Sequence, residues 1–377
     1  MKKLGFVCLI ACFTLNLHAQ RNFVYTNDNV PGKNTVSAFT VNVDGSLSLI
    51  EGSPFATGGS GGGSDIDPES ITTATEGQKN FLYAANNSDS TITGFFINRN
   101  TGGLEVVEGS PFPAGTANSR NTFSLAASPD GRFLFATDEV NTVIRAFNIS
   151  PATGALSEVP GSPFSSGALT EGLKVTANGK FLVAGLKSAN SVGVFSIGAN
   201  GALTPVPGSP FAANGAAAAV DVNCAVNLAF VSSAGSSQID VYAMAADGGL
   251  TPVAGSPFAS GGTSTINALT LTPSNQNLLT SDAFNSAVAS LAIGTDGALQ
   301  PVPGSPFSAD NFVGSIATTR AGNFVYTSLF TDAEVDGWSI GANGSLTPVP
   351  GRPFTTGQPG FGVQALTTFP APTCSVQ

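Results

Sequence analysis

Histidine is almost missing. The chain has 377 residues and one histidine, His18. A Ser/His/Asp arrangement or a His-containing metal centre therefore has no histidine beyond the first twenty positions. A cysteine nucleophile would lack its usual base. Charge is scarce too: 10% of residues are Asp, Glu, Lys or Arg, against a typical ~25%. The net charge of −10 argues against nucleic acid and anionic membrane surfaces, which need a basic face. There is no phosphate-binding loop, because "SPFSSG" and its copies lack the lysine of a P-loop. No run beyond the N-terminal twenty residues is long and apolar enough to span a membrane. The composition calls for no cofactor and no metal.

What is there instead is repetition. "GALTPVPGSPF" (201–211) returns as "GGLTPVAGSPF" (248–258), "GALQPVPGSPF" (297–307) and "GSLTPVPGRPF" (344–354). Looser copies are "GSLSLIEGSPF" (45–55), "GGLEVVEGSPF" (102–112) and "GALSEVPGSPF" (154–164). The closing phenylalanines, Phe55, Phe112, Phe164, Phe211, Phe258, Phe307 and Phe354, are spaced 57, 52, 47, 47, 49 and 47 residues apart. Such a period signals a solenoid, a propeller or an array.

One repeat, Leu125 to Phe164, contains "LAAS", the turn "SPDG", "RFLFAT", the turn "DEVN", "TVIRAFNI", the turn "SPATG" and "ALSEVPGSPF". These are four short strands between turn signals, with no helical period. Four strands per repeat make one propeller blade. The prolines of the fourth strand, such as Pro205 and Pro207, place it at the outer edge, since proline cannot donate to a ladder. Leu203, Val206 and Phe211 are expected between neighbouring sheets, with Gly208 and Pro210 steering the chain toward the next blade.

The N-terminal "NFVYTNDN" (22–29) reads as a second strand lacking a first. The C-terminal "GFGVQALTTFP" (360–370) reads as a first strand lacking a second. Pairing them closes the ring. The expected fold is all-β: a seven-bladed β-propeller with four-stranded blades, the C-terminal strand joining the N-terminal three.

"MKKLGFVCLIACFTLNLHAQ" has a basic start, an apolar run and a cleavage-like "LHA". A signal peptide over 1–19 is expected, with 20–377 as one propeller domain. "LIAC" also reads as a lipobox, and the alternative is a lipid anchor at Cys12. The expected location is exported: periplasmic, extracellular or at the cell surface. Cys224 and Cys374 then remain, and an oxidising compartment invites a disulfide between them. The alternative is a buried thiol and a free tail cysteine.

"FVYTN" (23–27), "FLYAAN" (81–86), "FVYTS" (324–328) and "SPDGRFLF" (128–135) resemble the seven-bladed lactonase-like propellers, the group of bacterial 6-phosphogluconolactonase and the YVTN-repeat surface proteins. The resemblance covers nearly the whole chain after the leader. It implies a lactone site at the channel mouth, where His and Arg begin the inner strands. The matching pairs here are Glu69/Ser70, Phe123/Ser124, Glu171/Gly172, Ala218/Ala219, Asn267/Ala268, Gly314/Ser315 and Gln364/Ala365. None is His or Arg.

The candidate ligand-binding residues are therefore Glu69, Arg120, Glu171, Asn267 and Gln364, with no catalytic residue assigned. Asp65, Asp67 and Glu69 alternate in "SDIDPES" but lack an EF-hand glycine, so a solvated loop is expected rather than calcium. "GGSGGGS" (58–64) is a flexible connector. The expected function is binding of a small molecule, glycan or protein by a monomer. The alternatives are a sugar-lactone hydrolase and a surface structural protein.

Overall fold

The computed structural model describes residues 21–63, 70–115, 122–358, 362–372 and 374. Seven antiparallel sheets form a ring. Blade 1 combines Phe23–Asn27, Thr35–Val41 and Leu47–Leu49 with the C-terminal strand Ala365–Phe369, which pairs Phe23 with Phe369 and Asn27 with Ala365. The inner strands of blades 2 to 7 are Ile71–Glu76, Thr122–Ala127, Thr170–Val175, Ala216–Val222, Ile266–Leu271 and Val313–Thr318. The only helical elements among the described residues are two single 3-10 turns, Lys187–Ala189 and Ala283–Asn285. No helix of the described residues is long and apolar enough to cross a membrane.

Second strands such as "FVYTN" and "FLFATD" are buried along their whole length. A strand covered on both faces needs near-continuous apolar or β-branched character, and these have it. The buried apolar residues fall into seven clusters, each joining two neighbouring blades, and the last joins blades 7 and 1. Leu203 sits in the cluster between blades 3 and 4, and Val206 in that between blades 4 and 5, with Phe211 packed on the latter. Burying a Leu or Phe contributes roughly 1.5–3 kcal/mol.

The fourth strand differs from the expected single strand. It is broken: Leu203–Pro205 pairs with one end of Ser191–Ile197, and Phe211–Ala212 pairs with the other. Gly208 and Pro210 make the tight turn between these pieces rather than the crossing to the next blade. That turn leaves a third-strand N–H without a ladder partner, and the serine of "GSPF" supplies one. Ser209 Oγ accepts from Val194 N at 3.0 Å. Ser53, Ser110, Ser162, Ser256 and Ser305 do the same for Ala38, Gly94, Ala146, Val241 and Ser290. The repeated serine is thus a side-chain cap on an interrupted edge.

The tyrosines of "FVYTN", "FLYAAN" and "FVYTS" tie blade to blade. Tyr25 donates to the carbonyl of Gly102 at 2.8 Å, Tyr83 to Gly154 at 2.7 Å and Tyr326 to Gly45 at 2.7 Å. Gly102 has φ +74°, and a Cβ there would lie 2.4 Å from the Phe23 ring. Only glycine fits that turn against the aromatic ring of the preceding blade. Burial pushes the phenols of these tyrosines well above the ordinary range.

Past the closing strand, the tail reaches blade 5, where Cys374 is joined to Cys224 with Cα atoms 5.2 Å apart. The sequence separation of the pair is 150 residues.

Candidate functional site: the channel mouth

The mouth is formed where the inner strands begin. In blades 3 to 7 the pairing of inner and second strands slips just there, between Thr122 and Leu125, Thr170 and Leu173, Ala217 and Val220, Ile266 and Leu269, and Val313 and Ile316. The slipped residues include the pairs singled out in the sequence. Glu171/Gly172 and Asn267/Ala268 are bulge residues in equivalent register, and so are Ala218/Ala219 and Gly314/Ser315. A bulge re-aims a side chain and ends regular pairing, which suits the rim of a site. The bulged backbone is held by hydroxyls of the second strand. Thr137, Ser232, Ser281 and Ser328 accept from the N–H groups of Ser124, Ala219, Ala268 and Ser315 at 2.8–3.0 Å.

Glu171 is largely enclosed, with 13% of its side chain exposed, and its Oε2 lies 2.7 Å from Lys187 Nζ. Lys187 begins the 3-10 turn between the second and third strands of the same blade and is 43% exposed. Sequence reasoning missed this lysine. Arg120 is the sole cation among the five candidates, and Lys187 adds a second: the Glu171 carboxylate is balanced within its own blade. The signal was available, because that loop stands beside the start of the same blade's inner strand.

Lower in the channel a second pair was missed. Lys174 Nζ lies 2.7 Å from Asp221 Oδ1, across the boundary of blades 4 and 5. Asp221 also accepts from Leu271 N at 2.9 Å, which stitches blade 6 to the same carboxylate. Small residues are used structurally: Ser124 Oγ accepts from Leu173 N, and Ser315 Oγ donates to Leu366 O.

The other candidates divide. Asn267 carries a buried Nδ2 with no hydrogen-bond partner. Gln364 is buried at the mouth, and its backbone N–H donates to Asn27 O at 3.0 Å. Glu69 and Arg120, like Asp65 and Asp67, lie outside the described residues. Asn27 cross-links blades 1 and 2 through Nδ2, which donates to Ala85 O at 2.9 Å and Ser70 Oγ at 3.1 Å.

Beside it Asp28 is buried, and its carboxylate accepts from the hydroxyls of Thr26, Thr35 and Ser37 at 2.6–2.8 Å. Burial raises its pKa to about 6, despite those hydrogen bonds. In blade 2 the same place holds an uncharged residue, Asn86, whose Nδ2 donates to Thr91 and Thr93.

A cleft of ≈ 270 Å³ opens at the opposite end of the channel axis, between blades 5 and 6, lined by Leu228 and Phe230 among others. Its cause is packing. Leu228 occupies the place that Phe133 and Phe181 fill against the turn glycines Gly201 and Gly248.

Two overlapping segments, 72–217 and 125–252, match the family model of Lactonase, the 7-bladed β-propeller. The 6-phosphogluconolactonase of Serratia proteamaculans is 26% identical over 118 residues, 31% of this chain and 35% of that enzyme. The one of Sodalis glossinidius is 29% identical over 120 residues, 32% of this chain and 36% of that enzyme. The chain thus matches only those shares of the relatives' own length. Among solved structures, a candidate 6-phosphogluconolactonase of Bacteroides fragilis superposes with a TM-score of 0.75 at 14% identity, covering 94% of this chain and 99% of that one. The periplasmic gluconolactonase of Pseudomonas aeruginosa gives 0.70 at 16% identity, covering 92% and 99%. At such identities these two structures attest the fold.

Proposed function

We propose that this chain, which belongs to the lactonase-like seven-bladed propellers, is an exported binding protein that holds an uncharged, hydroxyl-rich small molecule or glycan at its channel mouth. The observation that carries this reading is the Glu171–Lys187 pair at 2.7 Å. It leaves the mouth polar but locally neutral. Asn267 and Gln364 add amides in equivalent register; Glu69 and Arg120 stay candidates from the sequence alone. Amides and a balanced ion pair match sugar hydroxyls, which both donate and accept. A phosphosugar would need cations that are not already neutralised. The 1–19 leader directs export, and the likeness to a periplasmic gluconolactonase is compatible with that.

The second reading is a lactone hydrolase, favoured by the family match. Lys187 would hydrogen-bond the lactone carbonyl oxygen, and Glu171 would take a proton from the attacking water. Water oxygen bonds to the carbonyl carbon, the ring C–O bond breaks, and the proton ends on the released alkoxide. The product is a hydroxy acid.

One assay separates the two. Hydrolysis of glucono-δ-lactone and of its 6-phosphate is followed above the spontaneous rate, for wild type, Glu171→Gln and Lys187→Ala. The expected result is no enzymatic turnover of either lactone, with binding of the unphosphorylated lactone weakened in both variants. Turnover that collapses in both variants would establish the hydrolase instead.

A further inference from the structure

Phe284 is 65% exposed and is the one aromatic among the strongly exposed large apolar residues of the described chain. It lies on the mouth face, in the 3-10 turn Ala283–Asn285 of blade 6. The equivalent turn of blade 4 carries Ser188, whose hydroxyl accepts from Leu169 N. A single exposed apolar side chain is ordinary; what sets this one apart is the braced turn and the two further rings beneath it.

The turn that carries it is built. Asp282 accepts from Asn285 Nδ2 through both oxygens, at 3.1 and 3.0 Å, and from Thr263 N at 2.9 Å. Ser264 donates to the same carboxylate and accepts from Phe284 N at 3.2 Å. Phe312 meets the Phe284 ring edge-on, with centroids 4.9 Å apart and an interplanar angle of 90°. Phe330 leans on Phe312 at 5.6 Å, and its N–H donates to Phe312 O at 2.9 Å. Phe312 is two residues before the bulge residue Gly314 of blade 7. Three rings from two blades thus form a step beside the mouth, with one ring lying open.

The charge around the step selects its occupant. Blades 6 and 7, residues 260–358, contain two cations, Arg320 and Arg352. Arg320 is in the turn after the inner strand, at the far end of the blade, and Arg352 is bonded to Asp336. Asp310 and Asn285 are exposed and Asp332 half-buried beside the rings. Carboxylates accept hydrogen bonds from hydroxyls and repel phosphates and carboxylates, and amides both donate to hydroxyls and accept from them. An open aromatic face takes the apolar C–H face of a flat ring, as aromatic sites generally combine a ring contact with a few placed polar groups.

We propose that Phe284, braced by Phe312 and Phe330, is a stacking platform for a neutral hexopyranose unit, and that this unit belongs to an oligosaccharide lying along the mouth of blades 6 and 7. The proposal deepens the binding reading given above and rests on it for the choice of face.

The test is calorimetric titration of the disulfide-intact protein with uncharged hexaoses, namely cellohexaose, maltohexaose and chitohexaose, beside choline and 6-phosphogluconate. At least one hexaose should bind. Phe284→Ala and Phe284→Leu should weaken it about tenfold or more, a loss of about 1.4 kcal/mol, while Phe284→Tyr keeps it. Melting temperature should be unchanged in all three, because the side chain is mostly in solvent. Absence of binding by every hexaose, equal binding by Phe284→Ala, or binding of choline alone would each overturn the proposal. Phe284 variants should leave binding of gluconolactone at Glu171 and Lys187 intact. If that binding is absent in wild type while the hexaose still depends on Phe284, it is the mouth reading that fails and not the platform.

Discussion

Arg352 stands where six of the seven repeats carry serine, and its Nη1 lies 2.6 Å from Asp336 Oδ2. The two substitutions answer each other. Without the serine hydroxyl, Gly337 N turns to Asp336 Oδ1 at 2.8 Å. The carboxylate that replaces the hydroxyl is fully buried as a side chain, and the guanidinium balances its charge. Arg352 also lies 4.8 Å over the Trp338 ring. Burial still pushes the Asp336 carboxyl above its ordinary range, with Arg352 opposing that shift.

Arg352→Ala should therefore destabilise the protein by about 3 kcal/mol, because it strands a buried charge. The double variant Arg352→Ser with Asp336→Ala should recover most of that, since it recreates the Ala289 and Ser305 arrangement of blade 6. Urea unfolding of both variants measures it. An unchanged single variant, or a double variant no better than the single, would refute the account.

Asp28 gives a pH dependence with a definite sign. Its ordinary value is 3.8 and its value in the fold is about 6. Between these the native state holds a proton that the unfolded chain has released. Stability from this group is therefore greatest below pH 4, declines as pH rises to about 6, and is flat above. At about 1.4 kcal/mol per unit, the span is roughly 3 kcal/mol. Asp28→Asn, which copies Asn86 of blade 2, should remove this slope and raise stability at pH 7. Unfolding free energies from pH 4 to 8 decide it; a slope that survives the substitution points to other groups.

Ring closure predicts a severe effect of truncation. Ending the chain after Phe354 removes Ala365–Phe369, bares the edge of Phe23–Asn27 and opens the clusters that Ala365, Leu366 and Phe369 help to fill. Unpaired edges with apolar faces aggregate. Low solubility or a lowered melting temperature is expected, and a soluble variant melting like wild type would contradict closure by this strand.

The Cys224–Cys374 bond should appear in protein recovered from an oxidising compartment. Peptide mapping without reductant should find the two linked, and Cys374→Ser should lower stability by about 2–4 kcal/mol, the usual range for such a link. Two alkylatable thiols in the exported protein would argue against it.

The sequence by itself determined the ring. Seven copies of one motif, a first strand without a second at one end and a second without a first at the other, admit one closed arrangement, because a strand edge must find a partner. It also marked candidate mouth positions, since every blade counts back alike from the same turn. What it could not decide was which side chains meet there. The Lys187–Glu171 and Lys174–Asp221 pairs join a strand to a loop, or one blade to the next, and no local spacing encodes such contacts. The break in the fourth strand escaped as well: "VPGSPF" reads as a proline-rich edge, and only packing against the third strand shows that its serine replaces a ladder partner. The exposure of Phe284 is likewise a tertiary fact. The same residue type is buried or half-buried in most of its copies, and whether a ring finds cover depends on the neighbouring blade.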